Sequence, residues 1–167
     1  VNFIDIGCRY GTHKCTKKHI SKIKYYGVDA DDKEINRLKK KYKSFKNIKL
    51  YFGILGELSK DSFLNIYKHK GYISTKEINK KSIWFDIVRK NEKELISKKK
   101  VSIIQSDLFF KKHKIPFDDI LKIDTEGQEL EIIRGLKDNI KKFKAVIFEG
   151  DFDESYKNAS SFSSINL

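Results

Sequence analysis

The sequence predicts an α/β fold built on a doubly wound, mostly parallel sheet. Short apolar runs alternate along the chain with longer segments whose apolar residues recur at helical spacing. The runs are nearly continuous rather than alternating with polar residues, which is typical of parallel strands covered on both faces. At 167 residues, with 39% apolar and 13% aromatic content, the chain is large enough for one domain with a substantial core.

The first half of the chain carries three predicted strands separated by helices. The strands are expected at residues 2–6, 25–29 and 48–52, where apolar runs end at glycine or aspartate. A helix is expected at 12–23, between the first two strands. A second helix is expected from Asp32, which we interpret as its N-cap. This order, strand then helix then strand, is typical of parallel pairing.

The second half carries two more predicted strands, at residues 119–123 and 144–149. The helix between them is expected to bury Ile132, Leu136, Ile140 and Phe143, which recur at helical spacing. We expect the domain to occupy residues 1–150. Residues 151–167 are polar and rich in Ser and Asn, so they are predicted to form a loop-like tail.

The segment 57–118 interrupts this alternation of strands and helices. It carries a predicted helix at 61–69 and two strand-like runs at 82–88 and 101–105, separated by a charged stretch. We interpret it as an antiparallel excursion between the third and fourth core strands rather than as a second domain. The segment contains no substrate motif.

The chain is strongly basic, with 36 Lys and Arg against 23 Asp and Glu and a formal charge of +13. A basic balance favours anionic partners, nucleic acid among them. The surplus is almost entirely lysine, and the lysine tracts are scattered rather than gathered with arginine and spaced aromatic residues. We therefore expect solvated lysine faces and keep a nucleic-acid partner as the alternative.

The cellular compartment is predicted from sequence features that the chain does not show. No apolar run approaches the roughly 18 residues that a membrane span needs, and no secretory signal is visible at the start. Two cysteines are too few for a disulfide framework, which favours a reducing environment. These observations predict a cytoplasmic protein without a membrane partner. No metal is expected, because the spacing of Cys8, His13, Cys15 and His19 matches no zinc pattern.

Acidic residues stand at four of the five predicted strand ends. They are Asp5, Asp29, the pair Asp124 and Glu126, and Glu149. In open α/β sheets, ligands bind outside the carboxyl ends of the strands. The acids are therefore the candidate functional residues.

The loop after the first strand indicates the cofactor. It has the form Asp-x-Gly-x-x-x-Gly, from Asp5 through Gly7 to Gly11, and Arg9 takes the place where a dinucleotide fold needs its middle glycine. An adenosine ligand with a cationic tail and no phosphate suits this loop better, because Asp5 offers an acceptor to an ammonium group. Asp29, at the second strand end, is placed to accept the ribose hydroxyls. That ligand is S-adenosylmethionine.

Five segments in order resemble the FkbM-type S-adenosylmethionine-dependent methyltransferases. They are FIDIGCRYG, GVDAD, IKLYFGILGE, LKIDTEGQELEIIRGL and AVIFEG, which together span about residues 2–150. The most specific is the fourth. That family's segment has the approximate form K-I-D-V-E-G-x-E-x-x-x-L-x-G, and this chain matches it from Lys122 to Gly135.

The resemblance implies a class I methyltransferase fold of the Rossmann-like type, usually with seven strands, although no sixth or seventh strand is visible after Glu149. It implies methyl transfer to a hydroxyl of a sugar, glycan or other small molecule. The implied cofactor contacts are Asp5, Gly7, Gly11, Asp29, Ala30, Ile54 and Leu55. Asp124 and Glu126 are implied to lie where methyl donor meets acceptor.

The proposed chemistry explains why acids stand at this position. A hydroxyl is a poor nucleophile that must be oriented and deprotonated, which a carboxylate can do while favouring a cationic donor. Glu149, another strand-end acid, is the third catalytic candidate. A structural interpretation competes with this one: Asp124 and Glu126 could cap the helix that begins near Gln128, and Glu126 or Glu129 could hold the loop through local hydrogen bonds.

Three other functions stay open at this point. The basic charge favours a nucleic-acid methyltransferase as the first alternative. A non-catalytic cofactor-binding module has no physical need for the whole set of strand-end acids and glycines. A dinucleotide reductase is disfavoured by Arg9 and by the lack of a Tyr-x-x-x-Lys pair.

Overall fold

The computed structural model describes residues 1–12, 14–69, 71–83, 85, 94–150 and 155–159. Its strands are β1 (Asn2–Ile6), β2 (Lys24–Asp29), β3 (Ile48–Phe52), β4 (Leu55–Gly56), β5 (Lys60–Tyr67), β6 (Ile73–Ser74), β7 (Leu95–Gln105), β8 (Ile120–Ile123) and β9 (Ala145–Phe148). Its helices are α1 (Lys14–Lys17), α2 (Asp32–Lys41), α3 (Ser106–His113) and α4 (Glu129–Leu136).

The main sheet has the strand order β3-β2-β1-β8-β9, and every neighbouring pair is parallel. All five predicted core strands are present within one or two residues of their expected bounds. The α/β fold with a mostly parallel sheet is therefore confirmed. Because β1 lies at the centre, the carboxyl ends of β2 and β8 flank its own end, and the strand-end acids meet at one edge.

Helices cover both faces of this sheet. On one face, Ile35 and Leu38 of α2 pack against Phe3, Tyr25 and Leu50. On the other face, α3 and α4 cover a larger cluster, which includes Ile4, Val28, Phe109, Phe110, Leu121, Ile123, Ile132 and Leu136. These buried apolar faces explain why the strands are nearly continuous apolar runs.

A second sheet has the order β4-β7-β5-β6 and is antiparallel except where β4 pairs with β7. This confirms the antiparallel excursion between the third and fourth core strands, and residues 101–105 lie within β7. The predicted helix at 61–69 is wrong, because β5 occupies that segment and pairs along its length with β7. Pairing with a distant strand outweighed the helical pattern of a short segment. The strand expected at 82–88 lies largely outside the described residues.

Three local predictions need correction. The helix expected at 12–23 is reduced to the four residues of α1. The N-cap of α2 is Asp31, whose side chain accepts bonds from two backbone amides, and Asp32 is the first helical residue. Helix α4 ends at Leu136, and the 3₁₀ segment Lys137–Lys142 follows it, because Lys137 adopts a positive φ of 56°.

The described part of the tail packs against the second sheet. Tyr156 is buried in an aromatic cluster with Tyr67, Tyr72, Ile78 and Phe85, and it pairs with Ile78 in an isolated β-bridge. The rest of 151–167 lies outside the described residues. None of the described helices combines the length and apolar character needed to cross a membrane.

Candidate active site

A cavity of about 200 Å³ lies at the carboxyl ends of the parallel strands. One side is formed by the ends of β1, β2 and β8 and the other by the second sheet. The lining residues from the main sheet and its loops include Gly7, Arg9, Tyr10, Asp29, Ala30, Asp124, Thr125, Glu126 and Gln128. The second sheet and the segment before it contribute Ile54, Leu55, Leu64, Ile73, Ser74 and Thr75.

Gly7 lets the first loop pass directly over the end of β8. It has a φ of 87°, and a Cβ atom there would lie 1.7 Å from the carbonyl oxygen of Asp124. Any other side chain would collide with backbone that cannot move aside, since Asp124 is itself bonded to Ile6 through its amide. Gly7 therefore sets the distance between the first loop and Asp124.

Asp29 forms one end of the cavity. It is 7% exposed, and its Oδ1 accepts a hydrogen bond of 2.9 Å from the amide of Asp31. Burial raises the pKa of Asp29 to about 6, and the amide of Asp31 and the charge of Arg9 partly offset that effect. Arg9 pairs with Asp31 at 3.1 Å, so it lies close to Asp29 without forming an ion pair with it.

Asp124 forms the opposite end, directly after β8. Its side chain is 40% exposed, and the ammonium of Lys122 lies 3.0 Å from its Oδ2. Glu149 follows β9 and comes beside Asp124, since β8 and β9 are neighbours in the sheet. Partial burial of the carboxyl group, followed by a hydrogen bond to Asp124 and that residue's charge, raises the pKa of Glu149 to about 8.

Glu126 is fixed by contacts to its backbone and its side chain. It has a φ of 56°, an uncommon value outside glycine. The hydroxyl of Ser74 donates to its carbonyl oxygen at 2.8 Å, and the hydroxyl of Tyr156 donates to its carboxylate at 2.8 Å. The second sheet and the tail therefore determine where this carboxylate lies.

Glu129 is the residue that holds the loop before α4. Its Oε1 accepts bonds from the amides of Thr125 and Gly127 and from the hydroxyl of Thr125. The N-cap of α4 is Gln128, which makes no side-chain cap bond. The described side-chain bonds of Asp124 and Glu126 go to Lys122 and Tyr156 rather than to amides of α4, whereas those of Glu129 hold the loop.

The comparisons with known proteins identify the family. A family model, the methyltransferase FkbM domain, matches residues 5–167. The chain belongs to the FkbM methyltransferase family. The corresponding searches of curated proteins and of solved structures returned no match.

The structure brings most of the residues predicted for this methyltransferase to one cavity. Those that line it are Gly7, Asp29, Ala30, Ile54, Leu55, Asp124 and Glu126. Glu149 lies behind Asp124, and Gly11 faces away from the cavity toward Tyr42 of the α2 side. His13, which the sequence places near the same loop, lies outside the described residues.

The placement of Asp5 differs from the prediction. Asp5 is 1% exposed and does not line the cavity. One oxygen accepts from the hydroxyl of Tyr25 at 2.7 Å and the other from Lys122 at 3.2 Å. Burial is the main cause that raises its pKa, against the lowering effect of Lys122. In the described geometry Asp5 therefore faces Lys122 rather than a ligand ammonium group.

Lys122 is the functional candidate that the sequence interpretation missed. It lies in β8, where its neighbours Leu121 and Ile123 are fully buried, and its own side chain is 10% exposed. A lysine inside a buried apolar run requires a partner of opposite charge. The local sequence contained that signal, because Asp124 follows two residues later.

Proposed function

We propose that this protein transfers the methyl group of S-adenosylmethionine to a hydroxyl of a sugar or other small molecule. The observation that carries the proposal is the presence of Asp29 and Asp124 in one cavity, on either side of the central strand β1. The carboxylate of Asp29 can accept hydrogen bonds from ribose hydroxyls, and methyl transfer to oxygen needs a base, such as the carboxylate of Asp124, to take the hydroxyl proton. Membership of the FkbM family supports the methyl-transfer part of this proposal.

The residues around Asp29 fit the adenosine part of that donor. Its Oδ2 has no hydrogen-bond partner in the described part of the chain, so it is available to ribose hydroxyls. Ala30, Ile54 and Leu55 provide an apolar wall for a base. The hydroxyl of Thr75, which also lines the cavity, is buried without a partner among the described residues, so a ligand can supply one.

The residues around Asp124 fit the transfer step. S-adenosylmethionine supplies a methyl group on a cationic sulfur, and the electrons of the broken C–S bond stay with the sulfur. Asp124 orients the acceptor hydroxyl and takes its proton as the new C–O bond forms. Its negative charge also favours a cation in the cavity before the transfer.

The charges of the cavity support a small hydroxyl acceptor over nucleic acid. Among the described lining residues Arg9 is the only cation, and it is paired with Asp31. Asp124 and Glu126 would repel a phosphodiester at the same point. The lysines responsible for the charge of +13 therefore give no support for binding a nucleic-acid backbone at the cavity.

The acceptor class can be tested with donor labelled in its methyl group. We expect label to appear in an alkali-stable ether on neutral sugars or other polyols. Asp124→Asn should abolish most of this incorporation, whereas Asp138→Asn, which alters an exposed acid paired with Lys141, should not. Incorporation into oligonucleotides alone would replace this proposal with the nucleic-acid alternative. Binding of the donor without incorporation into any acceptor class would favour a non-catalytic module.

A further inference from the structure

Four side chains form a hydrogen-bonded series that runs from inside the main sheet to the cavity. The hydroxyl of Tyr25 donates to Asp5 at 2.7 Å. The ammonium of Lys122 then donates to Asp5 at 3.2 Å and to Asp124 at 3.0 Å. The series exists because β2, β1 and β8 are neighbours and the sheet register sets Asp5 directly beside Lys122.

Burial along this series falls steadily toward the cavity. The Asp5 side chain is 2% exposed, that of Lys122 is 10% exposed and that of Asp124 is 40% exposed. Water therefore competes poorly for the inner contacts, and the ammonium depends on the two carboxylates. Burial lowers the pKa of Lys122, but the charges of Asp5 and Asp124 outweigh it and raise that pKa above its ordinary value.

We propose that Lys122 is a positioning residue for the methyl transfer, which holds the side chain of Asp124 at the cavity while Asp5 and Tyr25 hold Lys122. This inference rests on the function proposed above. Lys122 touches neither the cavity nor a substrate and acts through Asp124. Asp5, which the sequence assigned to the cofactor, here becomes the anchor of this lysine.

The surroundings of Asp124 explain why such a residue is needed. The titratable groups around it come from three strands and from the loop and start of α4, and they are Asp5, Lys122, Glu149, Glu126 and Glu129. All but Lys122 are acids, and neighbouring carboxylates repel one another. The ammonium of Lys122 contacts Asp124 and not Glu149, so it is the group among them that can hold the Asp124 side chain in place against this repulsion.

Removing the ammonium should therefore leave the Asp124 side chain without the contact that positions it. In a Lys122→Met variant, Asp124 loses its only cation among the described residues. We expect turnover at saturating donor to fall by about 10²-fold, because the carboxyl group is no longer held in place for the transfer. Turnover should fall more than the affinity for S-adenosylmethionine does, because the donor still binds at the Asp29 end.

The environment of the Asp124 side chain can be followed without any ligand, from its carboxyl carbon resonance in labelled protein at one pH, and this resonance should shift in Lys122→Met. Lys111→Met is the matched control, since Lys111 pairs at 2.8 Å with the buried Asp107, which does not line the cavity. It should leave both the Asp124 resonance and turnover unchanged. Because Lys122→Met leaves Asp5 buried without its cation, the double variant Lys122→Met, Asp5→Asn provides a second form in which that unpaired charge is removed.

The outcomes separate this inference from the proposed function. An Asp124 resonance that stays in place in both Lys122 variants, or a turnover that falls no more than donor affinity does, overturns the role of Lys122 even if wild type binds S-adenosylmethionine. If the resonance shifts in the variants but wild type binds neither S-adenosylmethionine nor its demethylated product, the proposed function is contradicted while Lys122 still positions Asp124. A shifted resonance with donor binding and reduced turnover supports both.

Discussion

The two ends of the cavity hold one acid each in different ways. Asp29 is almost fully buried, and within the described part of the chain its side chain accepts from one backbone amide, that of Asp31. Asp124 is partly exposed and lies between an ammonium and a second carboxyl group, from Lys122 and Glu149. A backbone donor fixes the position of a carboxylate, whereas charged neighbours also determine when it carries a proton.

This difference indicates that Asp29 is suited to binding and Asp124 to the transfer step. Burial raises the pKa of Asp29 to about 6, so it is mostly ionised near neutral pH and can accept hydroxyl donors. Glu149, beside Asp124, has a pKa raised to about 8, so it holds a proton at neutral pH. Such a pair can take up and release a proton during turnover.

Asp124→Asn should produce the largest effect, a loss of turnover. The amide keeps the size of the side chain but cannot accept the hydroxyl proton, so turnover should fall by about 10²–10⁴-fold. Affinity for S-adenosylmethionine should change by much less. Both quantities are measurable in one series, by initial rates and by calorimetry. Unchanged turnover per bound donor would remove the proton-accepting role from Asp124.

Asp29→Ala should lower donor affinity and leave turnover nearly unchanged, the reverse of the Asp124 variant. The variant loses a charge-assisted hydrogen bond to the ribose, so donor affinity should fall by about 1.5–3 kcal/mol. Turnover at saturating donor should change little, because the transfer end is untouched. Calorimetric titration measures the first quantity. If affinity is unchanged, the ribose does not bind at Asp29.

The pH dependence of donor binding should originate at Asp29. Because burial raises its pKa to about 6, the group is ionised above that pH and protonated below it. Affinity for S-adenosylmethionine should therefore weaken by about tenfold between about pH 7 and about pH 5. Without ligand the sign is reversed: protonated Asp29 contributes stability that is fully present below its unfolded-state pKa of about 4 and is lost as the pH rises through about 6. Asp29→Asn should remove the part of each profile that titrates near pH 6. If that part persists in this variant, it belongs to another group.

Tyr156→Phe should have the smallest effect. It removes the hydroxyl that donates to Glu126 at 2.8 Å, while Ser74 still holds the Glu126 backbone. We expect a loss of about 1 kcal/mol in the free energy of unfolding, measured with denaturant, and only a small change in donor affinity. Ile66→Val, in β5 away from Glu126, is a control for a packing change alone. A large loss of donor affinity would show that the tail helps to form the cofactor end.

Much of the fold could be predicted from the sequence because its core strands are locally encoded. Each of the strands β1, β2, β3, β8 and β9 is a short apolar run, and parallel order follows from the helices between them. The prediction failed at β5, where eight residues pair with residues of β7 that lie 28 to 43 positions further along the chain. No local pattern shows that partner, so a short mixed segment looked helical.

For the site, the positions of most residues could be predicted from the sequence, but the roles of some could not. Strand-end acids and glycines could be located from the sequence alone, and most of them line the cavity. The roles of Asp5 and Lys122 could not, because they depend on which strands are neighbours and on the register between them. Ser74 and Tyr156 reach Glu126 from segments with no motif, and only the folded chain brings them there.

The most direct test of the account is calorimetric titration of the protein with S-adenosylmethionine, with its demethylated product and with NAD in parallel. We predict micromolar binding of the first two, weakened in Asp29→Ala, and no binding of NAD, since Arg9 stands where a pyrophosphate would need glycine. Binding of NAD, or binding of none of the three, would contradict the assignment of this cavity to a methyl donor.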